Sequence, residues 1–443
     1  MAIDQNEPAE EFSDYEKVYL QMSRAFKPIG KEHWGIHCVC SIASNSTEHK
    51  FTKTDVRAAW KCLAVEFPGL TVRPVEFTKH FETLNENVVE DWAEATFFSS
   101  NDSTADEIIQ SSGPRDLPSL YFLPKSMELV FLSQHWRTDA LGCCMIFDKL
   151  IEHLAKKTSP VELLAESRRW PSPCLETAAG ASFDVDEETK KYAKDTISSF
   201  HAKAVQSGGL PYQGDNKLLP GKTQHRELAL SVSQSDSVVE ACKKQNISVS
   251  AAVHTALART YFSFAESNED KQKGYTTVMA TNARPHLQPP YNEPAHACQT
   301  YVASITPTVP YDSDFVSAAR ELSNEYKTWC TPQLMKSLCW AYKFHRDALF
   351  AAGPPAKPPS GVTLSSLGVV EKFFPGQYGD IEVENFRFGV SMMTRQTLLY
   401  AWTFRGQLTL SLDYNEAYYE ESMVQEVLER VKKHLGEGLQ VLL

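Results

Sequence analysis

A chain of 443 residues is longer than one hydrophobic core usually fills, so two domains of about 200 residues each are expected. Its formal net charge of -12, with no block of Lys or Arg, offers no counterpart to a phosphate backbone or an anionic lipid surface, which excludes nucleic acid and membrane as partners. At 42% hydrophobic and 23% charged residues it is neither disordered nor fibrous, and no apolar run reaches the length of a membrane span.

The acidic start, MAIDQNEPAEEFSDYEK, is neither a secretory signal nor a basic transit peptide. Strand-like alternation follows in HWGIHCVCSIA (33–43), then helical spacing of Val56, Ala59, Trp60 and Leu63 in KTDVRAAWKCLAVEFPGL (53–70), which ends before Pro68-Gly69. SMELVFLSQ (126–134) reads as a buried strand, and the apolar run from Cys143 to Ile151 as the helix after it. The stretch 206–224, QSGGLPYQGDNKLLPGKTQ, is dense in Gly, Pro and polar residues and falls near the midpoint, as a crossover between halves 1–205 and 225–443 would. Beyond it, residues 236–264 read as two helices broken at Gln245-Asn246, YTTVMATNAR (275–284) as a strand, and AAGPPAKPPSG (351–361) as a surface loop. The segment 395–415 alternates on two arms about Arg405-Gly406, a hairpin. Helices and strands intermix in each half, so the fold class is α/β or α+β with mixed sheets.

Several motifs fail on inspection. PGKT (220–223) resembles the end of a phosphate-binding loop, but Asn216 stands where the earlier glycine is required. A G-x-S-x-G elbow is absent, and no His, Cys or carboxylate spacing supports zinc, so no metal is expected. Cys38, Cys40, Cys143 and Cys144 lie in apolar segments and read as small packing residues in a reduced, cytoplasmic protein.

His135 and Asp139, in SQHWRTDALG (133–142), remain. An H-x-x-x-D spacing occurs by chance in about every second chain of this composition, but here it sits between a buried strand and a helix. A histidine at a strand end has a fixed backbone from which to project its ring into a cleft, with the aspartate behind it as an anchor. The competing reading makes Thr138 or Asp139 a helix cap and His135 an incidental junction residue.

Read with its flanks, FLSQHWRTDALGCCMIFDKLIEHLA resembles the core motif of the superfamily of chloramphenicol acetyltransferase, plant BAHD acyltransferases and condensation domains of nonribosomal peptide synthetases. VRAAWKCLAVEFPGL, NISVSAAVHTALA (246–258) and TTVMATNARPHLQPP (276–290) follow in the order this resemblance demands. The C-terminal YAWTFRGQLTLSLDYNEAYYEESMVQEVLERV is most similar to fungal acetyltransferases of the trichothecene 15-O-acetyltransferase type. Two departures stand out: Gln134 and Ala140 occupy positions where the condensation-type motif carries a first histidine and a glycine. The plant-type D-F-G-W-G motif is absent, and ENFRFGVS (384–391) keeps only a phenylalanine and a glycine in that region.

The resemblance implies two chloramphenicol-acetyltransferase-like halves with a tunnel between them, and a monomer that takes acyl-CoA, with acetyl-CoA as co-substrate, and a small-molecule alcohol. His135 would be the general base, Asp139 a structural residue, and Arg284 its partner, with Arg137 the alternative nearer in sequence. The segment GVTLSSLGVV (361–370) resembles the one that reaches the family's tunnel, which makes Ser365, Ser366 and Thr363 candidate oxyanion donors; a polar turn between strands is the plainer alternative. Trp136, Tyr414 and Asn415 are further candidate substrate contacts. The expected activity is O-acyl transfer to a specialised metabolite such as a terpenoid. Two readings compete with it: a condensation or cyclisation enzyme with a carrier-bound substrate, and a non-catalytic ligand-binding relative.

Overall fold

The computed structural model describes residues 8–45, 51–166, 170–204, 209–265, 267–352 and 358–443. The chain forms two units, the first from residues 1–180, 284–301 and 370–391, the second from 181–283, 302–369 and 392–443. These differ from the expected halves 1–205 and 225–443 in three places: 181–204 joins the second unit, while 284–301 and 370–391 return to the first. The reason is hydrogen bonding. Strand Ile381–Val390 pairs antiparallel along Ile36–Ser44, and the segment after Arg284 is bonded to the loop that follows Ser133. Arg284 therefore lies in the first unit. Of the expected crossover, residues 206–208 lie outside the described residues, as do residues 353–357 of the expected proline-rich loop.

The first unit is built on a six-stranded sheet in the order Gln377–Tyr378, Ile381–Val390, Ile36–Ser44, Glu128–Ser133, Ser119–Leu123, Phe97–Ser99, with only the last pair parallel. Helix Lys53–Glu66 begins at a capping box, in which Thr52 accepts from the amide of Asp55 and Asp55 from that of Thr52. It buries the face read from its spacing, Val56, Ala59, Trp60 and Leu63. Trp60 is wholly buried, stacks on Trp92 at 4.6 Å between ring centroids, and donates its indole N–H to Thr96 Oγ at 3.0 Å. A tryptophan can be core in this way because its polar edge is satisfied.

The second unit carries the sheet Val302–Ile305, Met279–Asn282, Val362–Val369, Thr397–Phe404, Gln407–Asn415, Thr223–Ala229. Its two central pairings are parallel, so the sheet is mixed, as expected for the class. The expected hairpin is present: Arg405 and Gly406 have φ of 52° and 74°, the left-handed pair that a two-residue turn between twisted strands requires. Asn246, φ 53°, terminates helix Val232–Gln245 before Ser248 caps helix Val249–Phe264, which is the break read at Gln245-Asn246. Helix Glu421–Leu439 buries Val424, Val427, Leu428, Val431 and Leu435 at helical spacing against the core that contains Leu399, Leu410 and Leu412.

Two of the expected substrate contacts belong to this unit's interior. Tyr414 is 2% exposed and is part of that core, where burial pushes its hydroxyl pKa upward. Asn415 is wholly buried and fully engaged: Oδ1 accepts from the amides of Gly221 (2.8 Å) and Ala417 (3.1 Å), while Nδ2 donates to the carbonyls of Gly221 and Met392. In this structure Tyr414 is taken up by packing and Asn415 by main-chain hydrogen bonds, on opposite faces of the strand. The same contacts dispose of PGKT, since Asn415 and Glu416 occupy the amides of Gly221 and Lys222. Asn415→Ala is expected to lower unfolding stability by about 1–3 kcal/mol through the amides it strands. Urea titration would show this as a lower midpoint at unchanged slope.

Candidate active site

Glu128–Ser133 is flanked on both sides by strands, and Leu129 to Leu132 are all buried, so the backbone at its end is fixed. The loop 134–139 leaves it through a turn in which the Arg137 amide donates to the Gln134 carbonyl (3.1 Å), and it ends at Asp139, the N-cap of helix Ala140–Lys156. Asp139 Oδ1 accepts from the Gly142 amide at 2.9 Å. The helix-cap reading of the spacing thus describes a real contact.

The same carboxylate is also the loop's electrostatic anchor. Arg284 Nη1 lies 2.9 Å from both Asp139 oxygens, and the Tyr301 amide donates to Oδ2 at 2.8 Å. Both side chains of this ion pair are almost wholly buried, at 3% and 2% exposed. Arg284 Nη2 donates to the Gln299 carbonyl (3.2 Å), and Thr138 Oγ to that of Ala297 (3.0 Å). Gly142 makes this close approach possible, because a methyl there would meet Thr138 Oγ and the Ala297 carbonyl. Arg137, the alternative partner, is engaged elsewhere, donating to the carbonyls of Gly69, Val72 (2.9 Å) and Asp116 (3.0 Å).

His135 has its backbone held as well, since Thr300 Oγ donates to its carbonyl. Its ring is partly exposed, with Nδ1 buried and in no hydrogen bond of good geometry, which leaves Nε2 as the accessible nitrogen. Tyr19 stacks on the imidazole at 4.6 Å between centroids and 28° between planes, and Trp34 tilts toward it at 6.2 Å. Burial lowers the His135 pKa below the usual imidazole value, opposed in part by its own carbonyl and by Asp139. Burial thus favours the neutral form of the ring.

Trp136 points away from this role. It is 3% exposed, packs with Phe12, Leu20 and Val72, and carries the Arg137 guanidinium 4.3 Å from its ring centre. It supports the loop through this packing. Thr363, Ser365 and Ser366 lie on strand Val362–Val369 of the second unit. All three are partly exposed, and Ser366 Oγ is 2.7 Å from Ser250 Oγ. The thiols of Cys38 and Cys144 are buried and pushed well above the usual range, so neither supplies a thiolate nucleophile. Among the described residues no three His, Cys, Asp or Glu side chains cluster as metal ligands.

Sequence reasoning missed the segment 297–301 and the helix Asp14–Arg24. Gln299 Nε2 donates to Glu16 Oε1 (3.0 Å), Glu16 pairs with the buried Lys79 (3.0 Å), and Gln299 Oε1 accepts from the Thr300 amide (2.8 Å). The one signal available was the pair Tyr15 and Tyr19, one helical turn apart beside the buried acid Glu16.

Asp139→Asn keeps an oxygen for the helix cap and strands the Arg284 charge, so it should destabilise the protein by about 3–5 kcal/mol. The double variant Asp139→Asn with Arg284→Gln should lose less than the sum of the single losses. Chemical denaturation of the four proteins of this cycle measures both expectations.

The protein-family model described as "Phthiocerol/phthiodiolone dimycocerosyl transferase C-terminus" matches residues 220–413. Among solved structures, trichothecene 15-O-acetyltransferase TRI3 from Fusarium sporotrichioides superposes with a TM-score of 0.80 at 17% identity, covering 98% of this chain and 95% of that one, a likeness that shows a shared fold. In sequence, the chain is 48% identical to "Azaphilone biosynthesis cluster protein M" of Aspergillus terreus, over 98% of this chain and 96% of that protein. It is 46% identical to "O-acetyltransferase pigM" of Monascus ruber, over 99% of this chain and 87% of that one. With such identity along nearly its whole length, the chain belongs to the family of fungal acetyltransferases that these two proteins represent.

Proposed function

We propose that this acetyltransferase moves an acetyl group from acetyl-CoA to a hydroxyl of a specialised metabolite, with His135 as the general base. The observation that carries this reading is an imidazole on a rigid backbone, with a buried Nδ1 and an accessible Nε2, whose burial disfavours the charged form. Nε2 takes the proton of the acceptor hydroxyl as its oxygen attacks the thioester carbonyl carbon. The tetrahedral intermediate then collapses with cleavage of the carbon–sulfur bond, and the departing thiolate recovers the proton from the imidazolium. No acyl-enzyme forms. The relatives' names, one from an azaphilone cluster and one an O-acetyltransferase, favour a hydroxyl of an azaphilone-type acceptor over a terpenoid one.

The test is to incubate purified protein with acetyl-CoA and a panel of candidate alcohols, following free thiol and product mass. His135→Ala should lower turnover on the order of 10²–10⁴-fold, the usual contribution of a positioned base. Thiol release that persists undiminished in this variant rules out the base role, and product formed only from a carrier-bound acetyl group rules out the CoA donor.

The pH profile supplies a second check. A lowered His135 pKa keeps the base unprotonated further into acid, so the acid limb of kcat/KM should fall below about 6.5, the free imidazole value. Activity is then lost as pH drops through that limb, because the protonated ring cannot accept the acceptor's proton.

A further inference from the structure

We infer that Tyr19 is a positioning residue, whose ring, stacked on the imidazole, sets the plane in which His135 presents Nε2. This rests on the reading of His135 as the base. A histidine base commonly has its ring orientation fixed by a hydrogen bond at the nitrogen that does not react. Here that nitrogen, Nδ1, is buried without a bond of good geometry and has its own main-chain carbonyl as its polar neighbour, so packing adds to the restraint on rotation about the Cβ–Cγ bond. The stacked contact to Tyr19, 4.6 Å and 28°, is the closest ring contact His135 makes.

Tyr19 is itself held. Tyr15 donates its hydroxyl to that of Tyr19 at 3.3 Å, and the two rings meet edge to face at 5.0 Å. Trp34 is tilted against Tyr19 at 5.9 Å between centroids. Its backbone is left-handed, φ 58°, and is secured by its amide bond to the Ser391 carbonyl at 2.7 Å. The helix Asp14–Arg24 that bears Tyr19 is tied to the loop that bears His135 by one continuous chain of contacts: Glu16 to Gln299, Gln299 to Thr300, Thr300 to the His135 carbonyl. Glu16 lies three residues before Tyr19, so the anchor and the stacking ring share a helix face. The spacing between the two rings is thus fixed by hydrogen bonds on their supports.

The charged surroundings are equally defined. Asp139 acts on both rings but is neutralised by Arg284, Glu16 is paired with Lys79, and burial holds the Tyr19 hydroxyl up at about 12, so it stays neutral. Removing the Tyr19 ring would admit water to the imidazole, which both loosens its orientation and stabilises its protonated form.

Three variants test this: Tyr19→Phe, which keeps the stack, Tyr19→Leu, which removes it, and Tyr19→Met as a fuller replacement should the leucine variant fold poorly. Tyr19→Phe should hold kcat within about twofold, while Tyr19→Leu or Tyr19→Met lowers it about 10–100-fold, the scale of a small misplacement of a catalytic group. KM for acetyl-CoA should stay within about threefold, since the ring is not proposed to bind the donor. The ring-nitrogen NMR titration of His135 should move upward toward about 6.5 in the leucine and methionine variants only. A folded leucine or methionine variant with unchanged kcat and an unchanged His135 titration overturns the inference, as does a tenfold loss in Tyr19→Phe. The titration needs no turnover, so it judges Tyr19 even if His135→Ala shows that the base reading itself has failed.

Discussion

The junction between strand and helix depends on one buried carboxylate. Asp139 accepts from the Gly142 amide, from the Tyr301 amide and from Arg284, so no oxygen of it is left without a donor. Burying an anion is unfavourable by several kcal/mol unless it is compensated, and here a guanidinium, two amides and the positive end of a 17-residue helix share that task. The constraint reaches far along the chain. For Arg284 and Tyr301 to meet Asp139, a segment from beyond residue 280 must leave the strand Met279–Asn282 and return to the first unit, which is why that unit is discontinuous in sequence. Cap and clasp are therefore one arrangement seen from two sides, and a change that removed either function would also disturb the other.

That arrangement fixes the backbone about His135 while leaving its side chain to other forces. Thr300 holds the carbonyl of His135, Arg137 ties the next turn to the carbonyls of Gly69, Val72 and Asp116, and Trp136 anchors the loop in a small apolar cluster. None of these contacts reaches the imidazole nitrogens. The base role proposed for His135 asks for both a rigid main chain and a free Nε2, since such a base must take up and return a proton within one turnover. The aromatic face of Tyr19 reconciles them, since stacking restrains a ring plane without occupying either nitrogen.

Local chemistry made part of this legible in sequence. Helical spacing located Lys53–Glu66, the break at Gln245-Asn246 marked two helices, and Arg405-Gly406 marked the hairpin, because each depends on residues adjacent in the chain. Arg284 was readable only through the resemblance of its flanks. What could not be read is what tertiary packing decides. Tyr414 and Asn415 were expected at a ligand because they are polar groups at a strand end, yet one fills the core and the other spends its hydrogen bonds on the main chain of Gly221, Met392 and Ala417. Trp136 likewise packs inward. Conversely, Glu16, Tyr19 and the segment 297–301 carry no motif, and their importance arises from contacts spanning 100 residues or more. A sequence of alternating charge and tyrosine in a first helix gives no hint of which ring will lie against a histidine so far along the chain.

The two departures from the condensation-type motif can be weighed on the same physical terms. Gln134, standing where that motif has its first histidine, is 2% exposed; its amide nitrogen donates to the Arg115 carbonyl and its Oε1 faces Arg137 Nε at 3.5 Å. It is a polar brace between the loop and the segment before strand Ser119–Leu123, a task for which a neutral amide with both donor and acceptor suits better than a histidine that burial would force into one tautomer. Ala140 is the first residue of the helix that Asp139 caps, where a good helix former replaces a flexible glycine and removes backbone freedom that the unfolded chain would otherwise gain. Both changes act on the frame and neither contacts the imidazole. The carboxylate clasp, its arginine and the backbone of His135 keep their partners beside both changes.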